Sequence, residues 1–164
     1  MATPLARALY RSRQVLHALR PRIDAEELRF ARALLTEAQS QLFFAMEQRD
    51  QRHALAVARR LRESGVDGRD LLTAALLHDC GKGAVPVWLR VLYVLAPRAV
   101  SRLAAPGASG VPAAADRLVN HAEFGARVAE AAGAGALAVR LIAGRVLPGE
   151  ESFAERLRAA DDAS

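Results

Sequence analysis

The sequence predicts an all-α protein, and three observations support this. Alanine and leucine dominate the composition, aromatic residues make up only 5%, and runs of β-branched residues are nearly absent, a balance that favours helix over strand. At 164 residues the chain has the length of one domain with a substantial core, because domains of roughly 100 to 150 residues are the commonest size. A compact single-domain helical bundle is expected, with residues 1–47 forming N-terminal helices that pack on a core built from 48–164.

Each element has its own signal. Thr3 and Pro4 read as the cap and first turn of a helix running to about Leu19, before Pro21. Leu5, Leu9, Leu16 and Leu19 fall near one face of it, with Arg7, Arg11 and Arg20 around the other. Residues 1–22 hold five arginines and no acid. The segment reads as a first helix with a solvated basic face, the alternatives being a presequence-like role or contact with nucleic acid or anionic lipid. Asp24 with Glu27 resembles a capping box opening a second helix to about Leu35. Thr36 caps a short third helix containing Leu42, Phe43, Phe44 and Met46.

Asp50 is expected to cap the next helix, which runs to Ser64 and stops at Gly65. At about 100° per residue, His53, Val57 and Leu61 lie within about 80° of one another, so His53 faces inward with the apolar stripe. Asp67 and Asp70 are expected to cap the following helix, a nearly unbroken apolar run that ends at His78-Asp79, and Gly81 and Gly83 to release the chain from it. Pro86 to Tyr93 should be helical. Ala104 to Pro112, with two Pro and two Gly, reads as an exposed loop. Further helices are expected over about 113–118, 122–131, 136–145 and 151–160.

Composition also limits function. The single cysteine, Cys80, excludes an intramolecular disulfide and any multi-Cys zinc site, and its place between Asp79 and Gly81 suits a small buried apolar residue. The N-terminus lacks the sustained apolar stretch of a secretory signal. The most apolar later segment, Val85 to Pro97, is 13 residues long and contains Arg90, short of the roughly 20 residues that span a bilayer. A soluble, cytoplasmic protein is expected, without a membrane span or a stable nucleic-acid complex. It is expected to be a monomer or a homodimer, with Trp88, Leu92 and Leu95 as a helical contact surface.

The run Leu71 to Gly83, LLTAALLHDCGKG, carries the chemistry. A helix apolar on all sides is buried in a soluble protein, and a His-Asp pair at its end bears a desolvation cost unless something charged meets it. A divalent cation is the partner best suited to both side chains. Lys82 follows at once, the only lysine among the 23 Lys and Arg residues, which points to a need for a compact ammonium there.

His53 in QRHALAVARRL, His78-Asp79 in LLHDCGK, His121 in HAEFGARVAEAAG and Asp161 in LRAADD follow the order and rough spacing of the HD phosphohydrolase superfamily, whose pattern is H, then HD, then D. The chain resembles this superfamily over about residues 50 to 162. The resemblance implies a helical bundle of the HD type and a metal site made by His53, His78, Asp79 and Asp161. Of the two C-terminal acids, Asp161 shares the Phe153-Leu157 stripe whereas Asp162 is rotated away, and Ala160 before it matches the family's AD pattern. Imidazole and carboxylate together suit Mn, Fe, Co, Ni or Zn, with Mg also possible, and leave positions open for water.

The resemblance implies a metal-dependent phosphohydrolase acting on a small phosphorylated substrate, a nucleotide first, through metal-activated water. The alternative is an HD-fold metal-binding or regulatory module without turnover. His121 corresponds to the extra His that two-metal members use, but Gly144 and Arg145 stand where such members present a further His. One metal ion per chain is therefore expected rather than two. Asp79, Lys82, His121 and Arg145 are the candidate catalytic residues: Asp79 orients water, and Lys82 reaches a phosphoryl oxygen or braces a carboxylate. Arg145 either pairs with substrate phosphate in place of a second cation or is an exposed helix-end residue. Glu123 is a candidate base or a solvated helix residue.

Overall fold

A computed structural model describes residues 23–164; the helix expected from Thr3 to Leu19 lies outside the described residues. Ten α-helices and no strand occur among the described residues. The first two, α1 (Ala25–Leu34) and α2 (Glu37–Ala45), open on the capping boxes read from the sequence. Asp24 accepts from the Glu27 amide at 2.8 Å, and Thr36 from the Gln39 amide at 3.3 Å. Each box satisfies two amides that the helix start leaves without a partner.

Helix α3 (Gln48–Glu63) begins earlier than expected, with Glu47 at its N-cap position. The expected cap, Asp50, lies inside the first turn and is only 5% exposed. Its carboxylate accepts two hydrogen bonds from the Arg90 guanidinium, at 2.9 and 2.7 Å. A partner forty residues away thus outcompetes the local capping role. Asp67 and Asp70 also fail to cap: α4 (Arg69–Leu77) has Gly68 at its N-cap and no side-chain cap bond.

Helix α4 is the centre of the bundle. Every residue from Leu71 to Leu77 is buried, and α1, α2, α3, α9 (Ala136–Ile142) and α10 (Glu151–Asp162) all contact it. This all-round covering is what an all-round apolar helix requires. The helix stops at Leu77, so His78 is its C-cap and Asp79 lies in the turn that follows.

Between this turn and α8 (His121–Ala131), the chain builds a smaller second core from α5 (Val87–Leu95), α6 (Pro97–Leu103) and α7 (Gly110–Val119). Val85, Leu89, Val100, Ala114, Ala115 and Leu118 fill it. Helix α6 was not anticipated from the sequence, although Pro97 at its first position is a recognised start signal. Arg90 ties this unit to the main bundle through Asp50 and Glu47, and Glu47 also accepts from the Val85 amide at 3.2 Å. Helix α9 ends at Ile142, three residues before the expected end, because the chain turns out through Gly144 at φ +66°.

Two substitutions test this framework. Gly81 lies so close to α8 that a Cβ there would collide with the His121 carbonyl and the Gly125 amide. Gly81→Ala should therefore cost about 1–3 kcal/mol, as overpacking does, read as a fall in Tm by circular dichroism. Asp50→Ala leaves Arg90 facing Glu47 alone and should cost about 3 kcal/mol, the low end for breaking a buried pair. Restoring most of that loss with Asp50→Ala plus Arg90→Met would show that the stranded charge is the cause.

Candidate metal centre

Three elements converge on the end of α4. Helix α10 packs along α3 and brings Asp161 against His53, with His53 Nε2 2.7 Å from Asp161 Oδ1. Leu157 and Ala160 are buried on the inward face of α10, while Asp162 is exposed. Phe153, expected on the same inward stripe, is largely exposed. The first turn of α8 presses on the turn after Asp79, which carries His121 into the site. One ligand atom each from His53, His78 and Asp161 lie within 4.8 Å of one another. Asp79 adjoins this trio through His78.

The two histidines nearest Asp79 are oriented by backbone carbonyls. His78 Nδ1 donates to the Ala75 carbonyl and His121 Nδ1 to the Leu118 carbonyl, each at 2.9 Å. A carbonyl only accepts, so both Nδ1 atoms carry a proton, and each ring turns its Nε2 toward the cluster. His78 Nε2 is sealed from solvent and has no hydrogen-bond partner. It faces Asp79 Oδ1 and Asp161 Oδ1, both at 3.6 Å. His121 Nε2 stands 3.9 Å from Asp79 Oδ1.

Asp79 is only 2% exposed. Burial pushes its carboxyl up, but the His78 imidazole and the Lys82 ammonium outweigh it and hold the group below its ordinary range. Lys82 Nζ donates to Asp79 Oδ2 at 2.6 Å, so of the two roles read from the sequence the structure shows the brace. For Asp161, the hydrogen bond from His53 keeps the carboxyl low despite partial burial. Burial pushes the His121 imidazole down, which keeps the ring neutral. Burial also raises the Cys80 thiol to about 12, and its Sγ packs on the Gly125 carbonyl. This is the inert small residue expected there.

A cavity of about 250 Å³ opens on the cluster. His78, His121 and Asp161 line it together with Leu141, Ile142, Val146, Ala154 and Leu157. Arg145 does not line it: its side chain is 71% exposed and donates to Glu123 Oε2 at 2.6 Å. The outward turn at Gly144 carries it away, so Arg145 and Glu123 occupy each other rather than the site. The arginine that lines the cavity is Arg158, which sequence reasoning missed. Its signal was available, since Arg158 precedes Asp161 by three residues and such residues share a helix face.

Ring nitrogens and carboxylate oxygens around a sealed, unpartnered nitrogen form the donor set of a divalent cation. Comparison with known proteins agrees. The HD-domain family model matches residues 51–161, from the start of the His53 helix to Asp161 itself. No curated protein and no solved structure matches the chain. By that family match the chain belongs to the HD-domain family, whose members are typically metal-dependent hydrolases.

Proposed function

We propose that this protein is a metal-dependent phosphohydrolase that holds one divalent cation per chain through His53, His78, Asp79 and Asp161 and acts on a small phosphorylated substrate, a nucleotide first. The observation that carries the reading is His78 Nε2, a ring nitrogen closed off from water and without a hydrogen-bond partner that faces two carboxylate oxygens. A buried ring nitrogen that hydrogen-bonds neither oxygen carries a desolvation cost that no protein group meets. A cation among them satisfies all three at once. When bound, such a cation supplies a water that is nucleophilic near neutral pH and neutralises charge on a phosphoryl oxygen.

The chain's own groups do the rest. Lys82 holds Asp79 ionised and fixes its rotation, as outer partners of ligating carboxylates do. His121, neutral with Nε2 beside Asp79, is placed to accept a proton at that nitrogen. Arg158 offers a planar fork to phosphoryl oxygens. It has no ion-pair partner among the described residues, whereas Arg145 is already engaged by Glu123. The apolar wall of Leu141, Ile142, Val146 and Leu157 suits the base or another apolar part of the leaving group.

Metal analysis of gently purified protein should find close to one transition ion per chain. His78→Ala and Asp79→Ala should each lose it with helicity retained, and His121→Ala should lose much less. Full occupancy in the first two variants would sink the site. Retained metal with no turnover across a panel of phosphomonoesters and phosphodiesters would instead identify a binding module.

Arg158→Ala should lower kcat/KM about ten- to a hundredfold, the range for one charge-assisted contact of roughly 1.5–3 kcal/mol. Arg145→Ala should stay near wild type. Lys82→Ala should reduce activity, and Lys82→Arg should not restore it, because a longer planar fork does not fit the 2.6 Å contact to Asp79. Equal kinetics for Arg158→Ala and wild type on the best substrate would remove Arg158 from the site.

A further inference from the structure

Helix α5 turns the wrong face outward for a residue set of its kind. At about 100° per residue, Val87, Trp88, Val91, Val94 and Leu95 cover about 120° of its circumference, the width of a stripe that ordinarily faces a core. All five are exposed, Val94 by 79% and Leu95 by 77%. The core contacts of α5 come from its opposite side, through Leu89, Leu92 and Tyr93. The two hydrogen bonds from Arg90 to Asp50 fix that orientation, so the apolar face is held outward rather than left loose.

The chain segment that contains it carries one sign of charge. From Ala84 to Ala115 the sequence has three arginines and no aspartate or glutamate. Arg90 is spent on Asp50, whereas Arg98 and Arg102 are exposed on α6, the helix packed against α5, and neither has an ion-pair partner among the described residues. Leu103 beside them is also exposed.

We propose that this face is a docking surface for an anionic lipid bilayer, on which α5 lies in the plane of the interface. An exposed apolar helix face with a Trp and flanking arginines is the composition that partitions into the headgroup boundary, with basic residues drawn to anionic lipid. The nine residues of α5 are too few to cross a bilayer, and no helix among the described residues is long and apolar enough to do so. Contact in the plane is the geometry left. A second copy of the chain fits less well. A two-fold contact sets the same patch against itself, which brings Arg98 and Arg102 of both copies together with no carboxylate from this segment to pair them.

Trp88 is the only tryptophan in the chain, so its fluorescence reports on this face alone. The full-length protein is mixed with phosphatidylcholine vesicles with and without phosphatidylglycerol, and with the same vesicles carrying brominated acyl chains. The expected result is co-sedimentation, a blue shift and bromine quenching of Trp88 on phosphatidylglycerol-containing vesicles, all weakened by salt. Val94→Asp with Leu95→Asp should weaken binding by about tenfold or more, and Arg98→Gln with Arg102→Gln by about 30-fold. Both side-chain pairs are exposed, so circular dichroism and metal content should stay unchanged. Absence of binding overturns the proposal. So does sedimentation with Trp88 unquenched, which would assign the contact to another part of the chain such as the basic residues 1–22. A lipid-independent, concentration-dependent blue shift together with a dimer in analytical ultracentrifugation overturns it in favour of a second copy.

Discussion

The architecture depends on one unfavourable juxtaposition. A helix buried on every side ends in an imidazole whose Nε2 is sealed from water and a carboxylate that is itself buried. Each feature around the site answers that cost. Lys82 takes one oxygen of Asp79, and the Ala75 carbonyl takes the proton of His78. His53 holds Asp161 across from them. Among the buried side-chain polar atoms of the described residues, His78 Nε2 is left without a partner, and the cation proposed there would complete what the protein groups leave open. A buried polar cluster that is almost satisfied is costly as it stands and specific for whatever completes it.

Packing makes that arrangement reachable. The five helices around α4 take up its apolar surface, and two of them, α3 and α10, each deliver one residue of the cluster, His53 and Asp161. The remaining approach comes from α8, whose first turn sits directly on Gly81. Any side chain at that glycine would push His121 away from Asp79. The distance between a motif residue and its neighbour is thus set by the absence of a Cβ.

The segment between the HD turn and α8 plays two parts. Its inner side is a small core clamped to the start of α3 by the Arg90 pair with Asp50. That clamp also determines which face of α5 looks outward, so the charge pair that rigidifies the approach to the site presents the apolar, basic face to whatever lies beyond it. Site geometry and surface character are coupled through one guanidinium.

Local information determined the helical class, the capping boxes at Asp24 and Thr36, the inward face of His53 and the choice of Asp161 over Asp162. These depend on helix periodicity and on contacts three or four residues apart, which any sequence displays. The family pattern of His53, His78-Asp79 and Asp161 was legible because it consists of residue types in a fixed order along the chain. Tertiary structure decided what long-range partners take away or supply. Asp50 was withdrawn from its cap by Arg90, Arg145 was engaged by Glu123 beyond the turn at Gly144, and Arg158 was brought to the cavity by the packing of α10. A charged side chain has many possible partners along the chain, and only the fold determines which one lies within hydrogen-bonding distance.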